Sequence, residues 1–143
     1  VVLACKKVQR LPAVRHLIDS ASPSIERMFD RWASNPRFPT LKRIYRLVYV
    51  NMRRALPESV GGGVRNRNIT VRAEGLRIEE WMRGYQIAWM RTHDLHWIGV
   101  VQIDVLSDNE MSSVTMTLWL APSMFQVERP DGFYEHPYRR RYR

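Results

Sequence analysis

Strict alternation of apolar and polar side chains in the second half of the chain constrains its fold more than any other feature. In "SSVTMTLWLAP" (112–122), Val114, Met116, Leu118 and Leu120 alternate with Ser113, Thr115, Thr117 and Trp119. Ahead of it, "DLHWIGVVQIDVLSDN" (94–109) puts Leu95, Trp97, Val101, Ile103 and Val105 on one side, with Gln102 and Asp104 on the other. A period of two is what a strand with one buried face requires, because successive side chains point to opposite faces. Asp108-Asn109 supplies the turn between the two strands. "GYQIAWMR" (84–91) reads as a further strand, and another is expected around Phe125–Glu128 before a Pro130-Asp131-Gly132 turn and a short return through Phe133 and Tyr134. "ITVRAEG" (69–75) reads as a short strand or an extended lead-in, and "LRIEEWMR" (76–83) fits either a helical turn or extended chain.

The first half reads as helical. Leu11, Val14, Leu17 and Ile18 recur at helical spacing. In "SPSIERMFDRWASNP" Ser22 caps, Pro23 takes the first helical position, and Ile25, Met28, Phe29 and Trp32 form one stripe until Asn35-Pro36 stops it. A third helix is expected from a cap at Thr40 to Pro57, with Leu41, Ile44, Tyr45, Val48, Met52 and Ala55 inward. Lys42, Arg43, Arg46, Arg53 and Arg54 then share its opposite arc with Tyr49. No acid precedes Glu58 in this segment, so a helix face of this kind would repel itself unless a polyanion lay against it. The predicted fold class is α+β: N-terminal helices packed on a curved, cone-like antiparallel sheet, with a basic C-terminal tail. The boundaries expected are a helical extension over 1–39, the α+β domain over 40–136 and the tail over 137–143.

Charge narrows the partners. The chain has 143 residues and a net charge of +9, and 20 of its 23 basic side chains are arginine. Residues 1–75 hold 15 basic and 5 acidic side chains, whereas residues 76–138 hold 4 basic and 9 acidic. The closing "PYRRRYR" adds Arg139, Arg140, Arg141 and Arg143, interleaved with Tyr138 and Tyr142. Guanidinium groups match phosphate and stack on bases, so segregated arginine of this kind suits nucleic acid or an anionic membrane. The loop "PESVGGGVRNRN" (57–68) carries Arg65 and Arg67; it lacks the Lys-Ser/Thr of a phosphate-binding loop and reads as a basic loop. The candidate RNA contacts are therefore Lys42, Arg43, Arg46, Arg53, Arg54, Arg65, Arg67, Arg139, Arg140, Arg141 and Arg143.

The stretches "RGYQIAWMRTHDLHWIGVVQIDVLSD" and "VTMTLWLAPSMFQVERPDGFYEHP" resemble the cone-shaped domain of the nuclear-transport-factor-two-like superfamily. More narrowly, they are similar to the branch shared by the mitochondrial import-motor scaffold and a mitochondrial large-subunit ribosomal protein. The resemblance covers residues 40–136 and rests on element lengths and turns. It implies a structural constituent of the mitochondrial ribosome, in contact with ribosomal RNA and other mitochondrial ribosomal proteins. It also implies a place near the exit tunnel and the inner-membrane surface. The alternative it implies is a peripheral scaffold of an inner-membrane complex, an import motor or a respiratory assembly, with the arginines on anionic lipid. The chain departs from the family where "HPYRRRYR" replaces a long closing strand.

Catalysis is not expected. No Ser/His/Asp arrangement, carboxylate pair or metal-ligand spacing occurs, and no cofactor is implied. Cys5 stands alone, which rules out an internal disulfide, and His93 and His96 are spaced to point to opposite sides of a strand. Asp104 reads as a surface acid rather than a general base, and Tyr45 reads as core. No apolar run approaches the ~18 residues that cross a bilayer. The opening "VVLACKK" is too short for the apolar region of a signal peptide and lacks an initiator methionine, which points to processing or to part of a longer chain.

Overall fold

The structure, a computed structural model, describes residues 27–62 and 68–135. The chain divides into two compact units, Val1–Ala33 and Ser34–Arg143. In the first, the described residues 27–31 form hydrogen-bonded turns, with the Asp30 amide donating to the Arg27 carbonyl at 3.2 Å and Trp32 to Phe29 at 3.0 Å. The rest of the expected helix through Ser22, Pro23 and Ile25 lies outside the described residues, as does the pattern of Leu11, Val14, Leu17 and Ile18.

The second unit is an antiparallel sheet, not helices packed on one. Its strands are β1 (Leu41–Asn51), β2 (Trp81–Arg91), β3 (Trp97–Leu106), β4 (Ser113–Leu120) and the two-residue β5 (Phe125–Gln126), in the order β4-β3-β2-β1-β5. Among the described residues α-helix is confined to α1 (Met52–Ala55) and α2 (Ile69–Glu74), and a 3-10 turn, Pro122–Met124, precedes β5. Three expected strands are present, at β2, β3 and β4, and the strand expected around 125–128 is limited to β5. The "ITVRAEG" segment is helical instead, because the Asn68 side chain caps it by accepting from the Thr70 amide at 2.8 Å.

The largest correction falls on the segment read as a basic helix. Residues 41–51 are a full-length strand, paired with β2 from Leu41–Met90 to Asn51–Trp81. Ile44, Tyr45, Val48, Tyr49 and Val50 are the β-branched and aromatic types that fit a pleated surface, and the partner β2 decides between the two readings. Thr40 begins no helix: its amide, with that of Leu41, donates to the Ser34 hydroxyl at the start of β1. Asn51 is the residue that caps, accepting from the Arg54 amide so that one helical turn follows the strand.

Ala88, Met90 and Val100 are buried on one face of the sheet, and the main hydrophobic cluster lies on the other. Val48 and Val50 of β1, Met82 of β2 and Val101, Ile103 and Val105 of β3 meet Met52, Leu120 and Phe125 there. Alternation fails once, at Ile87 in β2, where the register with β3 shifts between Gln86 and Ala88. The extra residue lets Gln86 and Trp89, three positions apart, face the same side. The sheet also curls. Phe125 belongs to β5, three strand spacings of ~4.8 Å from β3, yet a Cβ placed on Gly99 of β3 would lie 2.4 Å from its ring. No phenyl side chain spans that gap on a flat sheet, so β5 must fold over the inner face.

Gly99→Ala is therefore expected to destabilise the domain by about 1–3 kcal/mol in urea titrations, the cost of overpacking a close contact. Combined with Phe125→Leu, it should cost less than the two single changes added, because the smaller side chain relieves the overlap.

Candidate nucleic-acid interface

The five cations expected on one helix face are divided by the strand. Lys42 and Arg46 project from the inner face, across from Trp89 and Gln86 respectively, and Arg43 projects from the outer face opposite Ala88. Arg53 and Arg54 sit on α1, where Arg53 pairs with Glu80 at 3.2 Å and Arg54 donates to the Ser123 carbonyl at 3.3 Å. Arg65, Arg67, Arg139, Arg140, Arg141 and Arg143 lie outside the described residues.

What the fold does assemble is smaller and partly unforeseen. At the end of the inner face formed by the start of β1, the end of β2 and the start of β3, a cleft of about 290 Å³ is lined by Lys42, Trp89, Trp97 and Pro122. The Lys42 ammonium lies 4.9 Å from the centroid of the Trp97 ring, and the Arg91 guanidinium lies 5.3 Å from the same centroid. Arg46 stands 5.9 Å from the Trp89 ring and donates through Nε to Gln86 Oε1 at 2.8 Å. Gln86 is fully buried and donates through Nε2 to the Ala88 carbonyl at 3.2 Å, so it holds Arg46 from a fixed base. Trp89 leans on Phe125, with ring centroids 5.5 Å apart.

Each indole face attracts a cation through its quadrupole, an interaction of about 0.5–1 kcal/mol at exposed sites. The rings thereby gather positive charge that would otherwise spread apart. No carboxylate lines the cleft. Arg91 adds a second asymmetry: its Nε is buried and finds no hydrogen-bond acceptor among the described residues. A site with these properties suits an anion with several oxygens, and phosphate matches both the ammonium and the guanidinium geometry. Arg91, Trp89 and Trp97 were not selected from the sequence. Cross-strand pairing of Arg91 with Trp97, and of Lys42 with Trp89, is what makes them neighbours.

Elsewhere some of the arginines are met by acids. Arg83 pairs with Glu135 at 2.7 Å, and Arg77 is held by Asp108 at 3.0 Å and Glu110 at 3.1 Å. A second recess, about 440 Å³ in volume, is lined by Glu79, Glu80, Trp81 and Asp131 with Gly132, Phe133 and Tyr134. Its three carboxylates make it the anionic counterpart of the cleft.

Asp104 lies exposed on the outer face, accepting from the Thr115 hydroxyl at 2.7 Å. Tyr45, read as core, is instead 55% exposed and stacks on Tyr85 with centroids 5.1 Å apart. Its phenol is pushed above the ordinary value of 10.0 by partial burial, by Tyr85 and by the Asp104 charge. His93 lies exposed on the surface, 3.3 Å from its neighbour Asp94. Among the described residues no group of three or more His, Cys, Asp or Glu side chains is arranged to hold a metal ion. Comparison with protein-family models, curated proteins and solved structures gives no match to this chain.

Adding pyrophosphate should shift the indole N–H resonances of Trp89 and Trp97 in two-dimensional NMR and leave those of Trp81 and Trp119 in place. Unmoved resonances at Trp89 and Trp97 would deny the cleft its anion. On the other face, the Tyr45 phenolate should appear above pH 10.0 in ultraviolet titration. Asp104→Asn should bring that transition down, because one of the charges opposing ionisation is gone.

Proposed function

We propose that this chain is a non-catalytic, RNA-binding constituent of a ribonucleoprotein, and that its inner-face cleft takes the phosphates of an RNA strand. The resemblance of its sheet segments carries the proposal further, to the large subunit of the mitochondrial ribosome, where ribosomal RNA and neighbouring ribosomal proteins would surround it. The observation that supports the reading is the placement of Lys42, Arg46 and Arg91 against the Trp89 and Trp97 rings, beside a cleft whose lining of Lys42, Trp89, Trp97 and Pro122 includes no carboxylate. Cation and aromatic side by side is the pairing that grips single-stranded nucleic acid: the cations hold the backbone while rings offer a surface to bases. The net charge of +9 adds long-range attraction to any polyanion.

The role of the arginines differs from that of a uniform basic helix. Arg53 and Arg54 are engaged by Glu80 and the Ser123 carbonyl, so the proposed contact rests on Lys42, Arg46 and Arg91.

Binding of the full chain to a single-stranded RNA, followed by fluorescence anisotropy at several salt concentrations, tests this directly. Each phosphate neutralised contributes about 0.7 to the slope of log affinity against log salt for a single strand. Lys42→Ala with Arg91→Ala should reduce the slope by roughly 1–2 and weaken binding at every salt concentration. Arg53→Ala should change little. An unaltered slope in the double variant would exclude the cleft as the contact. Flotation with cardiolipin vesicles at matched salt separates the readings: binding to vesicles with none to RNA would replace this proposal with the inner-membrane scaffold.

A further inference from the structure

The two edges of the sheet are finished differently. The β1 edge is blunted three times. Its pairing is irregular between Arg43 and Arg46, Lys42, Arg43 and Arg46 place charge along it, and β5 covers it at Tyr49 and Val50. These are the usual devices against edge-to-edge pairing. Among the described residues the β4 edge has none of them. It pairs with β3 through eight consecutive residues, from Leu120 opposite Gly99 to Ser113 opposite Leu106, without a bulge. Its sequence, SVTMTLWL, contains no charge, no proline and no glycine. Ser113, Val114, Thr115 and Trp119 are exposed, and among the described residues only β3 pairs with this strand.

We propose that β4 is a self-association edge, on which a second copy of this chain pairs antiparallel through its own β4. Several features favour a second copy. An antiparallel junction of identical strands has a two-fold axis and closes at two subunits, so it does not propagate into a filament. The strand is uncharged from Ser113 to Leu120, so two copies meet there without the opposed like charges that the β1 edge would bring to a chain of net charge +9. With the axis at Thr117, Val114 falls opposite Leu120 and Met116 opposite Leu118 on the inner face, continuing the apolar row that already flanks the core. Thr115 falls opposite Trp119 on the outer face. The axis runs perpendicular to the joined sheet, so both cation-indole clefts open on the same side, where one RNA strand can engage the two together. That last consequence rests on the proposed RNA role; the pairing itself does not.

Size-exclusion chromatography with light scattering on the nucleic-acid-free full chain is expected to give twice the 17.0 kDa chain mass. Thr117→Lys, which sets two ammonium groups against each other at the axis, should return it to one chain mass with its circular dichroism unchanged. If that variant loses its fold, cross-linking decides. In a Cys5→Ser background, Thr117→Cys should form a covalent dimer on mild oxidation, because directly opposed residues in an antiparallel pair lie within disulfide reach. Ser59→Cys, on an exposed loop, should not. A monomeric wild-type chain with no cross-link through position 117 would overturn the proposal, as would a folded Thr117→Lys variant that remains dimeric. Neither result depends on RNA, so loss of pairing and loss of RNA binding are read separately.

Discussion

The contact between the Phe125 ring and Gly99 is the constraint on which the rest of the second unit depends. It requires β5 to fold back over the inner face, and the chain ahead of β5 follows, so Pro122 comes to line the cleft with Trp89 and Trp97. A side chain at Gly99 would occupy the space of the ring, so the absence of a Cβ at one position is tied to the closure of the core. The ring then does two things. It buries its own surface against β3, and it props Trp89 at a tilt of 38°, in position to carry Arg46 beside it. Core packing and cation placement are thus consequences of one approach between strands that are not neighbours in the sheet.

Charge is sorted by pairing more than by location in the sequence. Four carboxylates from the acidic half reach back to arginines: Glu80 to Arg53, Asp108 and Glu110 to Arg77, and Glu135 to Arg83. These pairs are unequal. The Arg53–Glu80 partners are more than half exposed and contribute little to stability after solvent screening. Arg83 and Glu135 are 17% and 26% exposed, which makes their separation more costly than that of a surface pair. Arg77 is tied to Asp108 and Glu110 in the β3–β4 turn, and the same turn holds the end of α2, where the Ala73 and Gly75 carbonyls accept from the Asn109 and Asp108 amides. The cleft is left without such carboxylates, and indole rings take their place beside Lys42, Arg46 and Arg91.

The segment β2 was legible as a strand although the face its side chains point to changes at Ile87, and the strands β3 and β4 were legible because a period of two survives in their sequence. Gln102 and Asp104 fall on the outer face for the same reason. The strand β1 was not legible. Leu41, Ile44, Tyr45 and Val48 satisfy a helical stripe equally well, and only the pairing with β2, a long-range interaction, settles the matter in favour of extended chain. Nothing local announces the bulge at Ile87 either, so no count along "GYQIAWMR" could have put Gln86 and Trp89 on one face. The missed Arg91 follows directly. As one arginine in a strand it carried no signal, and its significance comes from Trp97, which lies beyond a turn and opposite it in the register. One clue was available, that three tryptophans, at 81, 89 and 97, are spaced eight apart.

Replacing a helix by a strand changes what the basic segment can do. A helix face would have aligned five cations along one side, a broad electrostatic contact with little geometric selectivity. On a strand, alternation sends Arg43 to the opposite face, and Arg53 and Arg54 pass into the turn that follows. Lys42 and Arg46 remain on the inner face, four residues and so roughly 13 Å apart along the extended chain. Arg91 joins them from the neighbouring strand, through the Trp97 ring it shares with Lys42. Fewer charges bring less long-range attraction, but here they are held by rings, by a buried glutamine and by backbone pairing, so less freedom is lost when a ligand arrives. A contact of this type discriminates by shape. In the proposed RNA role it would favour an anion that can enter a cleft and leave a planar group against an indole, and a flexible single strand meets both conditions where a duplex, with its bases stacked and paired, meets only the first.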